Sequence, residues 1–203
     1  MNKVRLDGAE VAPSKIICIG RNYVAHIAEL GNEVPQQMVV FAKPNSAIGT
    51  SLRAELGGEP VHYEAEIALL IKDGQPAAAG FGLDLTKRAL QSRLKDKGLP
   101  WERAKAFDGA ALFSDFTHID STEHLALQLA VDGDIRQSGG VELMMYSPDV
   151  ILAELKQFIT LIDGDIVMTG TPAGVGAVNK GEHFEGRILQ REQVLTSVRW
   201  QAK

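Results

Sequence analysis

The sequence predicts an α+β fold in which strands outnumber helices and the sheet is mixed or mainly antiparallel. Short β-branched and apolar segments recur along the chain, bounded by glycine, proline or Asp-Gly breaks. Two segments carry a clear helical pattern, residues 86–97 and the residues that follow Ser147. Strands and helices do not alternate regularly, as they would in a doubly wound parallel sheet.

Length and composition indicate a single domain over residues 1–203 with a sizeable core. The net charge of −5 and the scattered basic residues argue against a nucleic-acid partner. The single cysteine, Cys18, cannot form an internal disulfide and agrees with a reducing compartment. The N-terminal residues lack the apolar segment of a signal peptide, and no apolar run approaches the ~20 residues that span a bilayer. We therefore expect a cytoplasmic protein without a membrane partner.

Strand character is the commonest local pattern, and residues 125–137 predict a hairpin around an Asp-Gly-Asp turn. The predicted strands are residues 4–6, 15–19, 39–44, 61–71, 125–131, 135–137, 165–168, 184–189 and 194–200.

Helices are predicted at three places. Residues 23–30 can form two helical turns, before a loop at residues 31–35. Residues 86–97 have a basic, amphipathic pattern that ends at a glycine and a proline. Ser147 and the proline after it are typical of a helix start. The predicted apolar stripe of that helix is Val150, Leu152, Leu155 and Phe158.

The strand at residues 61–71 carries two acidic side chains. Glu64 and Glu66 are two residues apart, so a strand projects them on the same face. Residues 67–71 are apolar on both faces and lead into a core. Two ionised carboxylates at that point repel each other and lose hydration, which a proton, a basic side chain or a bound divalent cation would relieve. The alternative is a solvated strand edge with ordinary surface charge.

Other side chains have both a functional and a structural interpretation. His26 and Glu29 lie on one face of a helical turn, as a general base and its orienting carboxylate do, or as a surface pair does. Asp84 lies between two leucines, where an isolated charge is costly. Its side chain is expected to be hydrogen-bonded, to bind a cation, or to form the N-cap of the next helix. Lys105 is an active-site cation or a surface lysine. The small residues at 169–176 could hold an oxyanion or form a plain turn.

Six sequence blocks resemble the fumarylacetoacetate hydrolase family, in family order and over nearly the whole chain. Each block is weak alone, but six in order are highly specific. The resemblance is closest to small single-domain members, namely acylpyruvases, oxaloacetate decarboxylases and hydroxymuconate-type isomerases. The blocks are Cys18-Ile19-Gly20-Arg21-Asn22-Tyr23 with His26 and Glu29, Phe41-Ala42-Lys43-Pro44, His62-Tyr63-Glu64-Ala65-Glu66, Gly80-Phe81-Gly82-Leu83-Asp84-Leu85-Thr86, residues 101–108, and Gly170-Thr171-Pro172-Ala173-Gly174-Val175-Gly176.

The resemblance implies a β-rich fold with a rolled mixed sheet and a few helices, usually as a homodimer. It implies Mg²⁺ or Mn²⁺ held by Glu64, Glu66 and Asp84. Further site residues are implied by position. The catalytic residues would be His26, Glu29 and Lys105, and the substrate-binding residues Arg21, Gln91 and Thr171.

The implied function is metal-dependent hydrolysis of a C–C bond in a 2,4-dioxo acid of acylpyruvate or fumarylpyruvate type. The cation would act as a Lewis acid on the 2-oxo acid, His26 held by Glu29 would activate water, and Lys105 would stabilise negative charge. Oxaloacetate decarboxylation or isomerisation of an unsaturated 2-oxo diacid shares this chemistry and is the first alternative. A non-catalytic small-molecule binding protein is the second.

The chain departs from the family pattern at two places. The connection between Ile71 and Gly80 is short, where many members have a longer loop and a helix. Ala89 follows Arg88, where many members have an acidic residue. Neither change touches the implied metal ligands, and both bear on substrate preference or subunit contacts.

Overall fold

The computed structural model describes residues 1–31 and 33–203. The predicted loop at residues 31–35 includes Asn32, which lies outside the described residues. The strands are β1 Val4–Leu6, β2 Ala9–Val11, β3 Lys15–Gly20, β4 Val39–Pro44, β5 Glu55–Leu56, β6 Glu59–Pro60, β7 His62–Tyr63, β8 Ala65–Lys72, β9 Gln75–Asp84, β10 Ala111–Phe113, β11 Thr117–His118, β12 Leu125–Val131, β13 Asp134–Gly140, β14 Ile166–Met168, β15 Gly176–Ala177, β16 His183–Gln190 and β17 Gln193–Gln201. The α-helices are α1 Val24–Glu29, α2 Arg88–Asp96, α3 Glu102–Lys105 and α4 Pro148–Leu155, and 3₁₀ turns cover Asn45–Ala47 and Val141–Leu143.

The larger sheet is mixed and has seven strands. Its order is β10-β9-β8-β14-β3-β4, and β11 also pairs with β9. The pair β3 and β14 is parallel, whereas the other neighbouring pairs are antiparallel. Parallel strands end at the same edge of a sheet, so the residues after Gly20 and those after Met168 are neighbours. The predicted α+β, β-rich fold with a mixed sheet is confirmed.

Strands β8 and β9 form a tight hairpin at the centre of this sheet. Lys72 pairs with Gln75 across Asp73-Gly74, whose φ angles are 51° and 68°. Positive φ at both turn positions is the geometry that matches the twist of the flanking strands. The short connection between Ile71 and Gly80 is therefore a two-residue turn followed by the first half of β9.

A second, antiparallel sheet packs on the larger one and closes the main core. Its order is β13-β12-β16-β17, and β12 with β13 confirms the predicted hairpin. Apolar side chains from both sheets fill the space between them, including Ile67, Phe81, Leu127 and Phe184. Burying this area is the main favourable contribution to folding.

Helix α4 covers part of the larger sheet on a separate apolar cluster. Ser147 is its N-cap, and its Oγ lies 3.5 Å from Val150 N, as predicted. The predicted stripe is only partly correct, because Val150 and Phe158 are exposed. The buried face is instead Ile151, Leu152 and Leu155, which pack with Ile17, Ile19 and Val167. Among residues 1–31 and 33–203, no helix is long and apolar enough to cross a membrane.

Candidate active site

Glu64, Glu66 and Asp84 meet at the open end of the β8–β9 hairpin. Glu66 is in β8, Asp84 is the last residue of β9, and Glu64 lies between β7 and β8, so the predicted strand at 61–71 is interrupted there. Asp84 N donates to Glu64 O at 2.8 Å, which fixes the two strands next to each other. One oxygen from each carboxylate lies within 4.8 Å of the others, and all three side chains are buried. The solvated-edge and helix N-cap alternatives are therefore wrong, since Lys87 is the N-cap of α2.

Two buried lysines neutralise part of this negative charge. Lys105 Nζ lies 2.7 Å from Glu64 Oε2 and 2.7 Å from Asp84 Oδ2, and it donates to Thr86 Oγ1 at 2.7 Å. Lys43 Nζ lies 2.8 Å from Asp84 Oδ1 and donates to the backbone oxygen of Lys105. Both lysines are almost completely buried, so the surface interpretation of Lys105 is wrong. The sequence signal for Lys43 was its position in an apolar strand.

The two glutamates differ in protonation because their neighbours differ. Burial opposes the ionisation of both carboxyls. At Glu64, the charges of Lys105 and Arg88 outweigh burial and hold the pKa well below its ordinary value. Burial, together with the charges of Asp84 and Glu64, raises the pKa of Glu66 well above its ordinary value. Of the two glutamates, Glu66 is therefore the one whose surroundings favour the protonated form.

The donor atoms of these three residues fit a hard divalent cation. They are carboxylate oxygens, which Mg²⁺ and Mn²⁺ prefer. Among residues 1–31 and 33–203, the buried Asp84 Oδ1 makes an ion pair with Lys43 but has no hydrogen-bond partner. Glu66 Oε2 accepts a hydrogen bond from Gly170 N at 2.7 Å. Buried oxygens with spare lone pairs are costly, and a cation would use them.

His26 and Glu29 form the predicted pair in α1. His26 is buried, and its Nδ1 lies 3.2 Å from Glu29 Oε2. Glu29 Oε1 accepts a hydrogen bond from Gly174 N at 2.9 Å, so a backbone group from the 169–176 segment orients the carboxylate. Gly174 has a φ of 103°, and a Cβ there would lie 1.8 Å from the backbone oxygen of Arg136, so only glycine fits. With its proton on Nδ1, the His26 ring keeps a lone pair on Nε2 for use as a base.

The segment after β3 presents Arg21 to the same region. Arg21 has a φ of 56°, in the left-handed region that non-glycine residues seldom adopt. The next residue, Asn22, is buried and fixes this conformation. Its Nδ2 donates to Thr169 O at 2.8 Å and to Tyr146 O at 3.0 Å, and its Oδ1 accepts from Tyr146 N at 2.8 Å.

Thr171 and Gln91, the other predicted substrate contacts, are each held by a neighbour. Gln137 Nε2 donates to Thr171 Oγ1 at 2.7 Å, and Gln137 Oε1 accepts from Ala65 N at 2.9 Å. Gln91 Oε1 accepts from Arg88 Nη1 at 2.8 Å, and the other end of the Arg88 guanidinium pairs with Glu64. Sequence reasoning missed Gln137, because no local pattern distinguishes it from an ordinary strand residue.

A single cleft unites these groups. It is lined by Arg21, His26, Glu64, Glu66, Asp84, Gln91, Lys105 and Thr171, together with Ile19, Gly20, Leu30, Phe41, Arg88, Lys95 and Trp101. Glu29 contacts the cleft residue His26 at Nδ1. The structure thus brings all the predicted site residues to one place, where a carboxylate triad, a His–Glu pair and a lysine ammonium lie at one cleft.

The fold is β-rich, and one cleft holds a buried carboxylate triad, a His–Glu pair and a buried lysine. This combination defines the class: an enzyme that uses a divalent cation in the reaction of a small molecule. Residues 15–199 match the family model described as fumarylacetoacetate (FAA) hydrolase C-terminal. The chain therefore belongs to the fumarylacetoacetate hydrolase family.

Individual relatives agree with this assignment. The chain is 36% identical over 200 residues to oxaloacetate tautomerase YcgM of Escherichia coli K12, which covers 87% of this chain and 90% of that protein. It is 35% identical to the mitochondrial oxaloacetate tautomerase FAHD1 of Arabidopsis thaliana, over 94% of this chain and 93% of that one. Among solved structures, fumarylpyruvate hydrolase from Pseudomonas aeruginosa, in complex with Mn²⁺ and pyruvate, is similar with a TM-score of 0.87. That similarity covers 100% of this chain and 96% of the other, at 31% identity.

Proposed function

We propose that this enzyme interconverts the keto and enol forms of oxaloacetate with the help of Mg²⁺ or Mn²⁺. The observation that carries the proposal is the convergence, in one cleft, of the His26–Glu29 pair, the carboxylate triad and the Lys105 ammonium. Relatives named oxaloacetate tautomerase support the choice of substrate. The complex of the related hydrolase with Mn²⁺ and pyruvate supports a divalent cation and a 2-oxo acid as ligands.

Tautomerisation breaks the C–H bond at C3 and forms an O–H bond at the C2 oxygen. A cation held by Glu64, Glu66 and Asp84 would polarise the 2-oxo group and make the C3 proton more acidic. His26 Nε2 would remove or return that proton, while Glu29 orients the ring and stabilises its positive form. The ammonium of Lys105 would stabilise negative charge as it develops on the C2 oxygen.

Substrate orientation would come from the groups around the triad. Thr171, held by Gln137, presents a hydroxyl to the carboxylate next to the 2-oxo group. Arg21 and Gln91 line the same cleft and supply further donors. Fixed donors of this kind keep the C3 proton within reach of the base, which is a major part of the rate enhancement.

A second candidate is hydrolysis of a 2,4-dioxo acid of acylpyruvate or fumarylpyruvate type, the reaction implied first by the sequence. It would use the same residues, except that His26 would take a proton from water, which then attacks the distal carbonyl. The similarity to fumarylpyruvate hydrolase favours this reading. Oxaloacetate decarboxylation is a third use of the same groups and does not need a base that activates water.

The test is a panel of reactions measured side by side with Mg²⁺ and with Mn²⁺. Oxaloacetate tautomerisation is followed by the ultraviolet absorbance of the enol, hydrolysis by pyruvate release from acetylpyruvate, and decarboxylation by CO₂. We expect tautomerisation to be fastest, to stop on chelation and to return with either cation. Faster hydrolysis would favour the second candidate, and full tautomerisation after exhaustive chelation would refute the role of the triad. Metal binding without any turnover would favour a non-catalytic binding protein.

Two variants with matched controls assign the roles of residues. His26→Asn should lower kcat about 10²–10⁴-fold, as expected for the loss of a general base. His124→Asn, at an exposed position with a φ of 60° that asparagine tolerates, is its control. Glu66→Gln should remove metal binding measured by calorimetry, whereas the exposed Glu102→Gln should not.

A further inference from the structure

We propose that Lys95 is a specificity-determining residue that binds the distal carboxylate of a dianionic substrate. This inference rests on the proposed function in one respect, because it assumes that the 2-oxo acid end of the substrate lies at the carboxylate triad. It adds a residue that neither the family blocks nor the triad identified.

The position of Lys95 on α2 is the first argument. Arg88, Gln91 and Lys95 are spaced by three and four residues, so they lie along one face of the helix. All three line the cleft. Arg88 contacts Glu64 of the triad, and Lys95 lies about 10 Å further along the helix axis, at 1.5 Å per residue. The face thus runs from the triad to the last helical turn, with a basic group at each end.

Burial supports a defined position for this side chain. Lys95 is only partly exposed, whereas its neighbours Asp96 and Lys97 are exposed. A lysine in this situation buries its aliphatic stem and presents its ammonium at the boundary with water. The ammonium is therefore at the cleft rather than on the free surface of the helix.

The charges around the cleft are the second argument. Burial, followed by the positive charges of Arg21 and Arg88, lowers the pKa of Lys95, which indicates that these basic groups are close enough to repel one another. Among the described residues that line the cleft, four are lysine or arginine and three are aspartate or glutamate. A divalent cation at the triad would add two positive charges. A dianion neutralises this excess better than a monoanion, and its second carboxylate would relieve the repulsion at Lys95.

Kinetics with two substrates of different charge test the assignment. Oxaloacetate carries a distal carboxylate, and acetylpyruvate carries a methyl ketone instead. Lys95→Met should raise KM for oxaloacetate about 10- to 100-fold, the effect of losing one charge-assisted contact, with kcat changed much less. KM for acetylpyruvate should stay within about twofold, because no carboxylate reaches this position. Lys97→Met, at an exposed lysine on the same helix end, should leave both values unchanged.

A binding measurement separates this inference from the proposed function. Calorimetry of the Mg²⁺-loaded protein with 2-oxoglutarate and with 2-oxobutyrate compares a dianion and a monoanion without requiring turnover. The wild type and Lys97→Met should prefer the dianion, Lys95→Met should lose that preference, and Lys95→Arg should keep it. If the wild type turns over neither oxaloacetate nor acetylpyruvate, the proposed function fails, but this comparison still decides the role of Lys95. Equal weakening of both ligands by Lys95→Met, or no change in either, would overturn the assignment.

Discussion

Asp165 connects the starts of the two parallel strands, and its replacement by asparagine should measure what that connection contributes to stability. The residue precedes β14, whereas Ser14 and Lys15 stand at the start of β3. Oδ1 accepts from Ser14 Oγ at 2.6 Å and from the backbone N–H groups of Ser14 and Lys15 at 3.2 Å. Oδ2 accepts from Ile162 N at 2.9 Å and from Lys15 Nζ. The carboxylate is fully buried.

The size of the effect follows from which bonds asparagine can keep. In Asp165→Asn the amide oxygen can replace Oδ1, but an NH₂ group replaces Oδ2 and faces two donors. Each hydrogen bond to a charged group contributes about 1.5–3 kcal/mol. The Lys15 side chain is a quarter exposed and can return to water, so the loss of its ion pair costs less than the loss of the partly buried hydrogen bond from Ile162 N. We expect a loss of about 3 kcal/mol, or about 6–12 °C in Tm for a chain of this length.

The pH dependence gives the prediction a second test. Burial opposes ionisation of Asp165, but the hydrogen bonds from Lys15 and Ser14 outweigh it and lower the pKa. A carboxyl with a lowered folded-state pKa contributes stability above its unfolded-state pKa of about 3.9 and loses it as pH falls through the folded-state pKa. The difference in stability between wild type and variant should therefore be constant near neutral pH and should shrink in acid.

The assay is urea unfolding of both proteins at several pH values. Asp149→Asn, at an exposed acid in the first turn of α4, is the control and should change stability by less than about 1 kcal/mol. Activity at 25 °C should survive in Asp165→Asn, because the residue lies at the opposite end of β3 and β14 from the cleft. Equal stability of variant and wild type, or a difference that persists unchanged in strong acid, would refute the reasoning.

Three further predictions concern the site. Lys43→Met should lower the free energy of unfolding by about 3–5 kcal/mol, because Asp84 loses a buried partner, and an unchanged urea midpoint would contradict this. Gln137→Leu should raise KM more than it lowers kcat, because Thr171 loses its fixed donor; steady-state kinetics that match the wild type would argue against a positioning role. Mn²⁺ at about 100 times its Kd should stabilise the wild type by about 2.7 kcal/mol in thermal unfolding, and an equal gain in Glu66→Gln would place the cation elsewhere.

The fold was predictable wherever hydrophobic side chains alternate or β-branched residues cluster. Strands β1, β4 and β12 have the predicted bounds, and several other strands differ by one or two residues at their ends. The main omission was β9, which holds half of the site hairpin. Its first six residues are glutamine, proline, three alanines and glycine, and proline, alanine and glycine have little strand preference of their own. They form a strand because β8 pairs with one edge and β11 pairs with Ala78 and Ala79 on the other, which is information that no local pattern contains.

The site was predictable where burial conflicts with charge. Glu64, Glu66 and Asp84 stood out because carboxylates next to apolar runs are costly without a partner. Lys43 and Gln137 reach the site from strands distant in the chain, so only the folded structure reveals their contacts. The roles of Arg21, Gln91 and Thr171 came from the family resemblance and remain proposals. The homodimer and the cytoplasmic location also remain predictions.

The contrast between Glu64 and Glu66 shows how the fold assigns different chemistry to identical side chains on one strand. Glu64 faces Lys105 and Arg88, so it stays ionised in spite of its burial. Glu66 accepts a hydrogen bond from the N–H of Gly170, but burial and the charges of Asp84 and Glu64 raise its pKa, so the protonated form competes with a bound divalent cation. Lys105 therefore stabilises one of the three candidate ligands in its charged form. The affinity for the cation should depend on pH mainly through Glu66, which makes this residue the point where protons and metal compete.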